Sequence, residues 1–431
     1  MLVLNKGIRV NKRKELTKDK PIEESKPPKF LYFPVGMHVG EAAQIVVKKG
    51  DKVNIGSVLA EASDGISANI HSSVSGTVVD IRKMDSFKGE TDLVIVENDY
   101  EDREDFMEDK QDFSKIEDLV ERISQAGVVG KGGAGFPTHI KYQEDKDNIK
   151  YLLVNGAECE PYSTTDYRVM VEFGDQIVEA MDMVNKIYET EKSYIAVEKH
   201  MQDAIDKLKQ AIRDKRLENI EVYELGNNYP QGHSGLQIKE VLGIEIEEGE
   251  RSGDVGVLQS NVSTYKAIYD ACFKNKFYTS RVITVTGPKI KNPKNLLVRV
   301  GTPVSHLIEE CGGLTDEDVI FINGGPMMGK QFENTDYPVE KDTTTILCMD
   351  KRIKEEESTC IRCSRCINVC PVSLNPIAIS EAYRHMEYYK AVLLKTNACI
   401  SCGSCSYVCP ANINLLDDIQ KINQKWEELN G

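Results

Sequence analysis

At 431 residues the chain is long enough for about three domains with cores of their own, and a formal charge of −15 sets it against generic nucleic-acid binding, which wants a basic surface. No stretch approaches the roughly 20 apolar residues of a membrane span, and the opening Met1-Leu-Val-Leu-Asn-Lys has no apolar core of signal length, so a soluble or peripheral protein is expected. Of twelve cysteines, eight fall in two runs near the C-terminus; Cys159, Cys272, Cys311 and Cys348 are scattered, as free thiols are in a reducing compartment.

Residues 1–28 are rich in Lys, Pro and Glu without periodicity, which predicts an arm that lies on a neighbour or stays mobile. Residues 29–100 read as β. Phe30-Leu-Tyr-Phe-Pro, Ala43-Gln-Ile-Val-Val, Val58-Leu-Ala-Glu-Ala and Gly76-Thr-Val-Val-Asp-Ile are short strands between Gly, Asp and Ser turns. The stretch from Val47 to Gly56, followed by Ile70-His-Ser-Ser-Val-Ser-Gly-Thr-Val, resembles the lipoyl/biotinyl-type barrel-sandwich fold. The turn that would carry a modified lysine there reads Ala62-Ser-Asp-Gly-Ile-Ser-Ala, so a docking module is expected rather than a swinging arm. His38 and His71 have no third ligand type nearby and read as structural. The acidic run from Glu97 to Asp105 reads as a solvated linker.

The period turns helical near 114. Ile116, Leu119, Val120 and Ile123 share a face of a helix ending at Gly127. Then comes Gly130-Lys-Gly-Gly-Ala-Gly-Phe-Pro-Thr138-His-Ile-Lys141. Glycines permit positive φ and bring backbone N–H groups close to a phosphate or an aromatic ring, but this loop follows a helix, so the ordinary dinucleotide fingerprint describes it poorly. The apolar strand Tyr151-Leu-Leu-Val-Asn155 runs into Gly156-Ala-Glu158-Cys-Glu160-Pro161, placing an amide and two acids where open α/β sheets hold ligands. Helices over 168–189 and 199–215 alternate with strands at Ser193–Glu198 and Glu218–Glu224, a pattern of right-handed β-α-β units.

GxGGAGFPTxxK followed by NxxExEP resembles the FMN- and NADH-binding subunit of respiratory complex I and its relatives. By position the resemblance implies that Gly132, Gly133, Gly135 and Lys141 cradle the flavin. It makes Asn155 and Glu158 flavin contacts and Glu160 the catalytic contact on the nicotinamide side, with FMN and NAD(H) as cofactors. Asn261, in Asn261-Val-Ser-Thr264, is implied as a phosphate contact, and it also reads as a helix N-cap. The chain departs from the pattern at Ala157, where complex I has an aspartate, and at Tyr229-Pro-Gln-Gly-His-Ser-Gly235, which replaces an acidic turn.

From Arg281 onward, Arg281-Val-Ile-Thr-Val-Thr-Gly-Pro, Gly301-Thr-Pro and Cys311-Gly-Gly resemble the SLBB β-grasp module, expected to brace the flavin domain against the cysteine-rich C-terminal region. Phe321-Ile-Asn-Gly324-Gly-Pro-Met-Met-Gly329, Tyr337-Pro-Val-Glu-Lys341 and the opening Lys6-Gly-Ile-Arg9 are similar to the RnfC subunits of Rnf electron-transport complexes. That family usually has Gly-Gly-Ile-His at the opening, and an acid and a lysine where this chain has Ser234 and Gly235.

Finally Cys360-Ile-Arg-Cys363-Ser-Arg-Cys366-Ile-Asn-Val-Cys370-Pro and Cys399-Ile-Ser-Cys402-Gly-Ser-Cys405-Ser-Tyr-Val-Cys409-Pro both read CxxCxxCxxxCP. Three thiolates at this spacing hold three corners of a [4Fe-4S] cubane, and the fourth ligates the other cluster. Crossed shells result: Cys360, Cys363, Cys366 and Cys409 for one cluster, Cys399, Cys402, Cys405 and Cys370 for the other. Zinc, which wants two pairs of ligands, and a disulfide framework suit the pattern less well. Residues 376–394 between the runs read as strongly helical.

The fold class expected is therefore multidomain α/β plus β plus α. After the arm at 1–28 come a barrel-sandwich domain at 29–100, a Rossmann-like flavin domain at 101–280, an SLBB β-grasp domain at 281–335 and a helical two-cluster ferredoxin-like domain at 336–431. The Rnf resemblance implies a peripheral subunit on the cytoplasmic side of the cell membrane. It would exchange hydride with NAD(H) through FMN and pass single electrons to integral-membrane and other subunits, with ferredoxin as an indirect redox partner and ion transport coupled elsewhere. The same modules also occur in soluble reductases, such as the proline-reductase carrier or cobalamin reductase. Ala157 and the replaced acidic turn favour a third reading, an electron-wiring protein with a vestigial flavin pocket.

Overall fold

The computed structural model describes residues 6–110, 112–131, 135–247, 249–351 and 356–430. Alternation of apolar and polar residues builds the first body. Phe30–Pro34, Gly89–Asn98, Gly76–Ser86 and Lys52–Val53 form one sheet in that order, and Gln44–Ile45, Val58–Glu61 and Ile70–His71 form a smaller one. Leu31, Phe33, Leu59, Ile70, Val78, Val94 and Val96 fill the core between them. Glu97 and Asn98, expected in the linker, instead end the strand Gly89–Asn98, because the apolar run Leu93–Val96 pairs antiparallel with Gly76–Ser86 and carries its flanks into the ladder. His71 is buried against the Phe277 ring, with centroids 4.6 Å apart, and His38 Nε2 accepts from Ala68 N at 3.3 Å.

The second body opens with the helix Ile116–Ala126. Its last turn closes on Gly127, at φ 68°, the left-handed residue that ends many helices. Four parallel strands come next, in the order Ile220–Leu225, Lys192–Glu198, Tyr151–Gly156, Val257–Asn261. The helices Thr165–Tyr188, Gln202–Asp214, Ser234–Leu242 and Val262–Phe273 alternate with them. The first of these has non-helical angles at Phe173, where two helical stretches meet. Because Tyr151–Gly156 has the second strand on one side and the fourth on the other, the winding reverses between Tyr151–Gly156 and Val257–Asn261. A crevice at the carboxyl ends of that pair is where ligands of open α/β sheets sit.

The third body is a six-stranded sheet ordered Ile22–Glu24, Lys294–Arg299, Ser280–Thr286, Thr345–Asp350, Val319–Asn323, Lys330–Phe332. It does not stop at 335. Thr345–Asp350 lies inside the sheet, parallel to Ser280–Thr286 and antiparallel to Val319–Asn323, so the β-grasp body runs to Asp350. The arm lies on its neighbours: Ile22–Glu24 adds a parallel edge strand here, and Lys12 pairs with Glu198 of the second body at 2.5 Å.

The last body is helical, with a core of Leu374, Ile379, Ala382, Leu415, Ile419 and Ile422 beside the cysteines. The helix expected over 376–394 is two pieces, Pro376–Arg384 and Lys390–Leu393. Met386 takes φ 59°, Met386 N donates to Tyr383 O at 2.9 Å and Glu387 N to Ala382 O at 2.9 Å. That is a Schellman ending, reached here without the glycine that usually announces it.

Candidate cofactor and cluster sites

At the carboxyl end of the central strand pair, Asn155 stands opposite Asn261 in register. Asn155 Oδ1 accepts from Ala157 N at 2.9 Å and from Gln237 Nε2 at 2.8 Å, while its Nδ2 donates to Gly232 O at 2.9 Å. Gln237 in turn accepts from Gln259 Nε2 at 2.9 Å, and the Ser234 hydroxyl bonds Gln259 Oε1. A run of amides therefore fixes the orientation of Asn155. Asn261 caps the helix Val262–Phe273, accepting from Ser263 N at 2.7 Å, and its amide donates to Asp166 at 2.7 Å.

Gly132 and Gly133 lie outside the described residues. On either side of them the loop closes as a narrow hairpin, with Gly130 N donating to Phe136 O at 2.7 Å and Val129 bridged to Pro137. Lys131 N donates to Thr264 Oγ1 at 3.1 Å, which holds this end of the loop over the first turn of Val262–Phe273. Gly135, at φ 74°, reaches the barrel-sandwich domain, its carbonyl accepting from Val39 N at 3.3 Å. A Cβ there would meet the mobile ends of Lys88 at 3.1 Å and Asp342 at 3.2 Å, so it is the positive φ rather than space that favours glycine.

Two lysines mark this place as cationic. Lys141 Nζ donates to Gln259 O at 2.8 Å, and Lys131 Nζ lies 5.0 Å from the centre of the Tyr278 ring. Among the described residues neither is in salt-bridge reach of a carboxylate. Desolvation holds the Lys141 ammonium below its ordinary pKa. Desolvation, helped by Arg281 and Lys266, holds Lys131 well below it. Asp166 and Asp270 act on Lys131 from beyond ion-pair contact, and a buried cation held only at that range favours an anion joining it. With the N-terminus of a twelve-residue helix beside them, the residues present fit a phosphate group.

The two glutamates are already engaged. Glu158 Oε1 accepts from Ser163 Oγ at 2.7 Å and Asp166 N at 3.0 Å, Oε2 accepts from Tyr167 N at 3.3 Å, and Lys14 of the arm lies 3.5 Å away. It thus caps the helix Thr165–Tyr188. Glu160 faces the loop at 324–329, where its Oε2 accepts from Met327 N at 3.0 Å, and its Oε1 lies 3.3 Å from the Tyr229 hydroxyl. Burial raises its pKa above the ordinary carboxylate range.

The eight cysteines gather in two quartets. One surface cavity of about 260 Å³ is lined by Cys360, Cys363, Cys366 and Cys409. A narrower one is lined by Cys370, Cys399, Cys402 and Cys405. The two runs fold alike: Arg362 and Ser401 are left-handed (φ 55° and 53°), as are Ser364 and Gly403 (φ 61° and 71°). Alternating handedness turns successive N–H groups inward to make an anion-binding nest. Arg362 N already donates to Cys360 Sγ at 3.4 Å and Leu374 N to Cys370 Sγ at 3.3 Å. Each quartet lines a cavity rather than converging on one point.

Sequence reasoning passed over Lys131, Asp166, Gln237, Gln259 and Tyr229. Lys131 lies within the glycine motif and could have been read as a cation beside a phosphate loop. The others act through contacts that only the fold creates.

Family models match the chain in sequence order: an RnfC barrel sandwich hybrid domain over 2–101, a Nuo51 FMN-binding domain over 123–270, an SLBB domain over 282–331 and a 4Fe-4S dicluster domain over 352–410. The chain is 37% identical, over 87% of its length and 83% of the relative's, to the C subunit of the proton-translocating ferredoxin:NAD(+) oxidoreductase complex of Clostridium ljungdahlii. It is 36% identical, over 87% of its length and 86% of the relative's, to the C subunit of the Na(+)-translocating complex of Acetobacterium woodii. Against the C subunit of the ion-translocating oxidoreductase complex of Pasteurella multocida it is 36% identical over 89% of its length, but covers 47% of that longer protein. A chain of an NAD+-reducing [NiFe]-hydrogenase in the H2-reduced state shares the fold, with a TM-score of 0.52 and 13% identity over 73% of this chain and 62% of that one.

Proposed function

The chain belongs to the RnfC family of C subunits of ion-translocating ferredoxin:NAD(+) oxidoreductase complexes, and we propose that it is the subunit that exchanges electrons with NAD(H), using bound FMN and two [4Fe-4S] clusters. The observation that carries the reading is the pair Lys131 and Lys141, half-buried and, among the described residues, outside salt-bridge reach of a carboxylate, beside a helix N-terminus at the switch point of the sheet. FMN supplies the conversion between a two-electron hydride and one-electron carriers.

In this reading the chain's own residues bind and orient. Lys131, Lys141 and the helix Val262–Phe273, capped by Asn261, hold the phosphate, and the loop ending at Gly135 lets backbone approach the flavin. Asn155, held by Gln237, presents its amide to the flavin's polar edge. Glu158 fixes the neighbouring helix, and Glu160 holds the loop at 324–329 that borders the nicotinamide side. Cys360, Cys363, Cys366 and Cys409 hold one cluster, Cys370, Cys399, Cys402 and Cys405 the other. The partners are integral-membrane and other subunits of the complex, with ferredoxin acting indirectly, and the chain is peripheral on the cytoplasmic face. No helix among the described residues is long and apolar enough to cross a membrane.

Anaerobic titration of the loaded chain with NADH tests this, following flavin and iron–sulfur absorption separately. Both should bleach; a flavin band that ignores NADH removes the hydride role.

A further inference from the structure

The quartet of Cys370, Cys399, Cys402 and Cys405 is fastened to the flavin domain from several directions. Tyr229, buried completely, donates its hydroxyl to the Cys402 carbonyl at 2.9 Å. Ile8 of the arm exchanges backbone hydrogen bonds with Tyr229 at 2.9 and 2.8 Å. One residue earlier Gly7 N donates to Val369 O at 3.0 Å, and Lys6 Nζ donates to Ser373 Oγ at 2.5 Å, on the two sides of Cys370. Ile8, Cys159, Tyr229 and Cys402 share one apolar cluster, which puts the thiol between Glu158 and Glu160 in the same packing as a cluster ligand. The other quartet faces outward: Cys363 is exposed and Ile361 is 69% exposed.

We propose that Tyr229 is a positioning residue for the inner quartet. Its hydroxyl, together with the strap Lys6–Ile8, locks the Cys399–Cys405 loop onto the strand end that carries Glu158 and Glu160 and raises the potential of the cluster held there. The proposal rests on the reading that each quartet holds a [4Fe-4S] cluster. A buried donor pointed at the ligand loop favours the more anionic, reduced cluster, and hydrogen bonding and exposure are two of the protein's levers on such potentials.

The test is Tyr229→Phe in the full chain, reconstituted anaerobically, with a dithionite redox titration followed by electron paramagnetic resonance. Cys402→Ser and Cys363→Ser assign the two signals. The inner midpoint should fall while the outer midpoint and the flavin content stay fixed, and amide exchange over 399–405 should speed up about tenfold, as expected for one lost hydrogen bond. Lys6→Met, at an exposed site that cannot unfold a core, should move the inner signal the same way by less. Unchanged midpoints and exchange in both variants, or equal shifts of both clusters, overturn the proposal. An unmutated chain that assembles no cluster overturns the reading beneath it as well, whereas a loaded chain indifferent to Tyr229 overturns only the proposal.

Discussion

The Tyr229 hydroxyl lies 2.9 Å from the carbonyl oxygen of Cys402 and 3.3 Å from Glu160 Oε1. A phenol has one hydrogen, and the shorter contact takes it. Burial raises the pKa of Glu160, and the hydrogen bond from Met327 N and the contact with the Tyr229 hydroxyl oppose that rise.

A first prediction concerns that carboxyl. Glu160→Gln supplies an N–H toward Tyr229 and an oxygen for Met327 N, and should leave stability within about 0.5 kcal/mol of the parent. Glu160→Leu leaves the partly buried Met327 N–H without its acceptor and should cost about 1–2 kcal/mol. Urea unfolding of the two variants checks this, and equal stabilities would show that the contacts of Glu160 with Met327 and Tyr229 do not support the fold.

The quartets predict which cysteines share a fate. Cys370→Ser and Cys402→Ser should abolish the same paramagnetic signal, while Cys409→Ser and Cys363→Ser abolish the other, each variant losing about four irons per chain. Pairing by run, with Cys370 following Cys363, would mean that the shells are not crossed.

For the lysines the expected loss is of flavin. Lys131→Met and Lys141→Met each remove a charge-assisted contact to phosphate, about 1.5–3 kcal/mol and therefore roughly tenfold or more in FMN affinity. Fluorescence titration of the apoprotein with FMN measures it, with riboflavin as the control. Riboflavin, which has no phosphate, should bind the variants and the parent alike.

What the sequence made legible was local. The first three cysteines of each run are three residues apart, and the strand Tyr151–Gly156 and helix Thr165–Tyr188 announce themselves by period, so their places come from short windows. Thr345–Asp350 was not assigned to the β-grasp sheet because its partners Ser280–Thr286 and Val319–Asn323 are distant in the chain and pairing carries no local mark. Met386 ends a helix by adopting a conformation that glycine would have advertised. The fastening of the cluster domain was equally hidden, since Tyr229 and Cys402 are 173 residues apart and an ordinary tyrosine beside an ordinary proline gives no sign of it.

The last prediction turns on pH. Glu340 is fully buried where the β-grasp body meets the hairpin turn at Phe87. One oxygen accepts from Phe87 N at 3.2 Å; Lys88 is 3.8 Å from the other but pairs more closely, at 2.8 Å, with Asp342. Burial first, and the Asp342 charge second, push the Glu340 carboxyl from 4.5 up to about 7. Between those values the folded chain holds a proton that the unfolded chain has released, so stability falls as pH rises through the window, by at most about 3 kcal/mol. Glu340→Gln keeps an acceptor for Phe87 N and cannot ionise. Its stability relative to the parent should therefore climb between pH 5 and pH 7 and level off above. Urea midpoints at half-unit intervals across that range give the curve; a difference that does not change with pH would mean that the carboxyl ionises as an exposed one does.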